Sequence, residues 1–187
     1  MAQGRLRADA TRNRGKLLEV ARRHLAAGDD LQMNVIAREA GVGVATAYRR
    51  FPTTQALVEA IAEDGLALLL RHIEEAAEAA DAQAGLAAAM RVTLTLQREC
   101  LGLSDVLACP AAELPEVAAL KIALERAVDR LLDRARTEGV VRPGLTADDL
   151  RRLLCGIDHA IRSNPAPPDM TEQYLNILVQ GIRPAAS

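Results

Sequence analysis

The chain has 187 residues, half of them hydrophobic, a formal net charge of −2 and three cysteines. That length allows one large or two small domains with a sizeable core, and the near-neutral charge argues against a general nucleic-acid binder. Cys100, Cys109 and Cys155 lack CxxC spacing, which fits a reducing compartment and offers neither a disulfide framework nor a zinc site.

The charge is unevenly spread. Residues 1–55 hold ten Lys and Arg against five acids, a net +5, whereas the remainder holds thirteen against twenty, a net −7. Such asymmetry suggests a basic nucleic-acid module on an acidic body, or chance clustering on solvated helix faces. The three aromatic residues are Tyr48, Phe51 and Tyr174, and the apolar matter is Ala, Leu, Val and Ile. No segment alternates with a period of two for long enough to make a strand, so an all-α protein is expected. There is no signal-peptide order at the start and no run of ~18 apolar residues, so a cytoplasmic location without membrane contact is expected.

Residues 1–10 are basic and polar without an apolar stripe, which predicts a mobile arm. A first helix is predicted from about Thr11 to Ala27, with Leu17, Leu18, Ala21 and Leu25 on its buried side, stopped by Gly28 and Asp29-Asp30. The next segment places Met33, Ile36, Ala37 and Ala40 on one face. Gly41 suits the left-handed conformation that ends a helix, and Val42 can plug the corner before a second short helix, Val44 to Phe51. This is the pattern of a helix-turn-helix, whose second helix enters the major groove of DNA. That helix would expose Val44, Thr46, Tyr48, Arg49 and Arg50, residue types able to touch bases and phosphates.

Pro52 allows a new helix capped by Thr53 or Thr54, with Leu57, Ile61, Leu68 and Ile73 as its stripe, reaching about Ala80. The body reads as four further helices, about 83–101, 114–138, 147–163 (capped by Thr146) and 170–182. Residues 102–113 are irregular with room for one short helical turn. Pro143-Gly144 and the run Asn164-Pro165-Ala166-Pro167-Pro168 mark turns.

Residues 12–60, with their IAREAGVGVATAYRRFPTTQALVEA core, resemble the DNA-binding domain of the TetR-type transcriptional regulators. The resemblance rests on Ile36-Ala37, Gly41-Val42, Thr46-Ala47-Tyr48 and Phe51-Pro52-Thr53 at the family's mutual spacing. It covers about a quarter of the chain closely and thereafter extends to architecture, with RTEGVVRPGLTADDLRRLL resembling the equivalent stretch in many members. Two positions depart from the pattern. Many members carry Lys or Arg where this chain has Thr54, which weakens a phosphate clamp or leaves it to the helix N-terminus. Ala47 replaces a larger aliphatic residue and leaves the small core of the head less filled.

The resemblance implies that Tyr48 donates its hydroxyl to a phosphate, while its amphipathic ring also packs against the head. Thr46 would meet a phosphate or a thymine methyl, and Val44 a thymine methyl. Arg49 and Arg50 would either read guanine by a two-point bond or contact phosphates. Ala45, Thr53 and Thr54 complete the expected DNA face. Arg7 and Arg12 would run along the backbone, enter a minor groove or remain solvated.

The family also forms an effector pocket inside the body, for which Met90, Thr95, Arg98, Cys155 and His159 are candidates. Arg98 would pair with an anionic effector or with Glu99. The scarcity of aromatics makes the pocket aliphatic. Finally, the family builds a two-fold four-helix bundle from its last two helices. Here these offer Leu150, Leu153, Leu154, Ile157 and Ile161, then Leu175, Leu178, Val179 and Ile182, unless these stripes serve the chain's own core.

His24, His72 and His159 are scattered without ligand spacing, so no metal or other cofactor is expected. Asp158-His159 near Cys155 lacks the geometry of a nucleophilic site, so an enzyme is not expected. The expected organisation is an arm over 1–10, a DNA-binding domain over 11–56 and an effector-binding and dimerisation domain over 57–187. The expected function is a homodimeric transcriptional regulator, a repressor released from a palindromic operator in double-stranded DNA by a small-molecule effector. The alternative is a helical ligand- or protein-binding module that does not read DNA.

Overall fold

The computed structural model describes the backbone of residues 2–163 and 170–184, with side chains from residue 9 onward. Every regular element among them is a helix. The expected turn at residues 164–168 and the side chain of Arg7 lie outside the described residues.

Helix α1 (Ala2–Ala27) begins before the expected Thr11, so the stretch expected as an arm continues the helix. Ala, Leu, Gln and Arg favour helix on propensity alone, without an apolar stripe. Leu17, Leu18, Val20 and Ala21 face inward, and Gly28 ends the helix at φ +78°. Helices α2 (Met33–Glu39) and α3 (Val44–Arg50) follow. Gly41 sits at φ +64°, which lets the Val42 amide return to the Ala37 carbonyl (2.9 Å) and buries the Val42 side chain at the corner.

Helix α4 (Thr54–Ala77) is capped by Thr53, whose Oγ1 accepts from the Ala56 amide at 3.1 Å. It ends three residues short of Ala80, where the Arg134 guanidinium donates to the carbonyls of Ala77 and Ala79. Its buried stripe runs through Leu57, Ile61, Leu66, Leu69 and Ile73, with Leu68 half-buried beside it. The body adds α5 (Ala82–Glu99), the short α6 (Leu103–Ala108), α7 (Pro115–Thr137), α8 (Ala147–Ser163) and α9 (Met170–Gly181). The Asp81 carboxylate caps α5. Thr146 and Asp149 cap α8 reciprocally, the Thr146 hydroxyl accepting from the Asp149 amide and donating to its carboxylate. No described helix is long and apolar enough to cross a membrane.

Two hydrophobic cores result. The smaller joins α1, α2 and α3 to the first turns of α4 through Leu17, Ile36, Ala47, Phe51, Leu57 and Ile61. Ala47 is fully buried there, so the small side chain permits close packing of α3. The larger core starts at Val58 and runs through α4 to α9. Helix α4 therefore serves both cores, and the smaller one continues past residue 56 to Ile61.

Glu59 lies on α4 at this junction and is fully buried. Its carboxylate accepts from the amides of Glu113 (3.0 Å) and Leu114 (2.8 Å). Helix α7 has no side-chain cap of its own at Leu114, so Glu59 supplies one from another helix, with the charge at the positive end of the α7 dipole. Glu59→Ala leaves two part-buried amides without their partner and is expected to cost about 2–4 kcal/mol. Urea unfolding will read this as a lower midpoint at unchanged slope, with Glu59→Gln falling between the two.

Candidate nucleic-acid interface and ligand cavity

Helix α3 is too short to be stable alone and is held by its buried face, Ala47 and the adjoining Phe51. The opposite face is open. Val44 is 43 % and Tyr48 44 % exposed, and Ala45, Arg49 and Arg50 are exposed as well, with Thr46 half-buried. Arg49 and Arg50 make no ion pair among the described residues. Elsewhere on the head some charges are matched, whereas Lys16, Arg22 and Arg38 also make no ion pair among the described residues. Arg23 and His24 meet Glu39, and Arg14 approaches Glu63 while lying over the Phe51 ring. Arg12 is exposed and paired with Asp9 at 3.2 Å.

Thr53 and Thr54 lie where α4 begins. Thr54 is the first residue of α4 and half-buried. Thr53 is the cap, and its hydroxyl donates to Glu113 of the body at 2.6 Å. The same short segment that meets Glu59 thus also touches the start of α4. At its other end, Lys121 of α7 donates to the carbonyls of Cys109 (2.6 Å) and Ala111 (3.1 Å). Burial lowers the affinity of that amine for its proton, and the two carbonyls give the ammonium its local partners.

Inside the body, α4, α5, α7 and α8 surround a cavity with room for about 60 Å³ of solvent. Its wall is aliphatic, with Thr93, Gln97, Arg151 and Cys155 as the polar exceptions and no aromatic ring. A second, larger space of about 210 Å³ shares Leu107, Leu124, Val128, Ala147 and Arg151 with it and reaches Lys121.

Of the five pocket candidates, Met90 and Cys155 line the cavity. Thr95, Arg98 and His159 are exposed and do not. The correction is one of helical phase: the inward stripe of α5 runs Leu86, Met90, Thr93, Leu94, Gln97, and Thr95 and Arg98 stand about 100° from its members. Arg98 instead borders a cleft with Gly28, Asp29 and Ser104. Gln97 was readable as a polar residue on that apolar stripe. Lys121, Glu59 and Glu113 carried no sequence signal, because their partners are backbone groups or residues about 50 positions away.

Asp158 and His159 diverge. Asp158 is buried and accepts from Ser104 (2.7 Å) and Arg162 (2.9 Å), whereas His159 is exposed beside Ser163. Burial raises the pKa of the Cys155 thiol, and burial followed by the neighbouring Glu99 charge raises that of Cys100, so both favour the less reactive thiol form. Among the described residues, no three potential metal ligands gather.

The expected dimer residues are mostly spent inside the chain. Leu150, Leu154, Ile161, Leu175, Leu178 and Ile182 are buried in this one chain, because α8 and α9 first cover α5 and α6. Ile157 and Val179 are half-buried. Leu153 is 41 % exposed, and Ile177, which the apolar stripe did not include, is 58 % exposed.

Residues 17–61 match the family model described as bacterial regulatory proteins of the tetR family. Residues 67–184 match the model described as the C-terminal domain of SbtR-like transcriptional regulators. No curated protein sequence matches the chain. Among solved structures, a TetR transcriptional regulator from Streptomyces coelicolor is 30 % identical, with 92 % of this chain and 99 % of that one covered and a TM-score of 0.54. FadR from Bacillus subtilis, solved in complex with stearoyl-CoA, shares the fold at 20 % identity, with 90 % and 98 % covered and a TM-score of 0.62. RolR, solved with resorcinol, does so at 17 % identity, with 94 % and 90 % covered and a TM-score of 0.62. With both of its halves matched in order, the chain belongs to the TetR family of DNA-binding transcriptional regulators.

Proposed function

We propose that this regulator is a homodimeric repressor that places two α3 helices in successive major grooves of a palindromic operator and leaves it when a small molecule fills the body cavity. The observation that carries the reading is the open face of α3, where Arg49 and Arg50 stand without ion-pair partners beside the exposed Tyr48. One such helix reaches few base pairs, so useful specificity requires two heads and a symmetric site. Leu153 and Ile177, with the exposed Gly156 and Ala160 on the Leu153 helix, supply the apolar surface for pairing α8 and α9 with those of a second copy.

Coupling between cavity and head runs through residues 109–114. Lys121 holds one end beside the mouth of the cavity, and Glu59 and Thr53 hold the other at the start of α4. An effector releases DNA only if it binds more tightly to the arrangement in which this segment and α4 have shifted. The complexes of the FadR and RolR fold relatives with stearoyl-CoA and resorcinol lend general support to ligand response in such a body.

Fluorescence anisotropy with the chain's own upstream DNA and a scrambled control, at two salt concentrations, tests the reading. Tight binding to the native sequence alone, weakening with salt, is expected. Equal binding to both sequences would refute sequence-specific reading of that DNA. Tyr48→Phe is expected to weaken binding to all sequences by about 1 kcal/mol. Arg49→Ala or Arg50→Ala is expected to remove about 1–3 kcal/mol of discrimination at one position per half-site; uniform loss across sequences would assign the arginines to phosphates instead.

The dimer has its own test. The double substitution Leu153→Glu and Ile177→Glu is expected to give a folded monomer by light scattering, with operator affinity reduced at least tenfold. A variant that stays dimeric would place the interface elsewhere.

A further inference from the structure

Gln97 is a polar side chain built into an apolar wall. It is 5 % exposed, lies on the inward stripe of α5 and lines the cavity between α4, α5, α7 and α8, forming part of the wall of the Arg98 cleft as well. Its Nε2 donates weakly to the Cys155 sulfur at 3.7 Å, while its Oε1 is shut from solvent and has no partner among the described residues. A buried amide oxygen left unpaired costs stability that a leucine at the same place would not. The other polar groups of the wall are committed. The Thr93 hydroxyl donates to the Ala89 carbonyl at 2.7 Å. The Arg151 guanidinium is held by the Leu107 carbonyl at 2.9 Å and by Asp148.

These commitments define what fits. The cavity offers no ring for a planar aromatic molecule to stack on. It offers no uncommitted cation to a carboxylate, since Arg151 already faces Asp148. It does offer one acceptor in want of a donor. We infer that the effector is an uncharged, chiefly aliphatic molecule bearing a hydroxyl group, with its hydrocarbon body against Leu69, Leu124, Val128 and Leu150 and its hydroxyl donating to Gln97 Oε1. A hydroxyl both donates and accepts, so it can pair with the unpartnered end of the Gln97 amide in either orientation of that amide. This inference rests on the effector-cavity reading above and adds the chemical class and the residue that selects it.

The test uses the full chain and three probes of similar size: 1-octanol, heptyl methyl ether and octanoate. Calorimetric titration of the native protein is expected to show 1-octanol binding about tenfold more tightly than the ether, the worth of one buried hydrogen bond, and octanoate binding most weakly. In Gln97→Leu the alcohol should lose this advantage while the ether binds at least as well as before. That variant should also unfold at an equal or higher urea concentration, since it removes an unpaired buried group. Equal binding of alcohol and ether to the native protein, or an alcohol preference that survives in Gln97→Leu, overturns the inference and leaves the effector-cavity reading standing. Failure of all three probes to bind also overturns it, and the cavity reading is then decided by release of operator DNA in a compound screen. Alcohol binding unchanged in Val128→Trp, which fills the cavity from α7, would place the ligand elsewhere and overturn both.

Discussion

Helix α4 is shared between two hydrophobic cores, and the join is electrostatic as well as apolar. Leu57 and Ile61 close the head, Val58 and Leu66 belong to the body, and between them Glu59 presents a buried carboxylate. A buried charge is tolerable only when its hydrogen bonds are met. Here they are met by the amides of Glu113 and Leu114, at the start of a helix that has no cap of its own. Each group lacks a partner without the other, so the head cannot drift on the body without breaking both. The relative placement of α3 and the body cavity follows from this mutual requirement.

The segment between α6 and α7 inherits its importance from the same arrangement. It is tied by its carbonyls to Lys121, by its amides to Glu59 and by the Glu113 side chain to Thr53. Bonds of all three kinds leave little freedom between the cavity mouth and the start of α4. In a protein whose interior is aliphatic, such polar ties set direction where packing alone would permit sliding.

The head was largely legible in the sequence because its determinants are local. Gly41, Val42 and the Thr53 cap act within a few residues of themselves, and their spacing survives in the structure. The body was legible as helices but not as a site. On α5 the candidates Thr95 and Arg98 sit one helical step from the stripe that faces the cavity, because an Ala-rich helix gives a weak apolar phase. On α8 and α9 the same periodicity marks residues buried by the chain's own core and residues left exposed, and only placement separates Leu154 from Leu153. Glu59 reads in sequence as an ordinary surface acid of an amphipathic helix. Nothing local announces that its partners are two amides more than fifty positions away.

The sharing of α4 bears on how such regulators can be recombined. A cut at residue 56, the domain boundary expected from the sequence, would strip the head of Leu57, Ala60 and Ile61. A cut after Ile61 keeps that core whole but carries Glu59 with it, into a body whose α7 start must expose two amides at the matching height. The head is therefore portable only between bodies that share this midpoint, and a functional chimaera would have to be joined inside a continuous helix rather than at a loop.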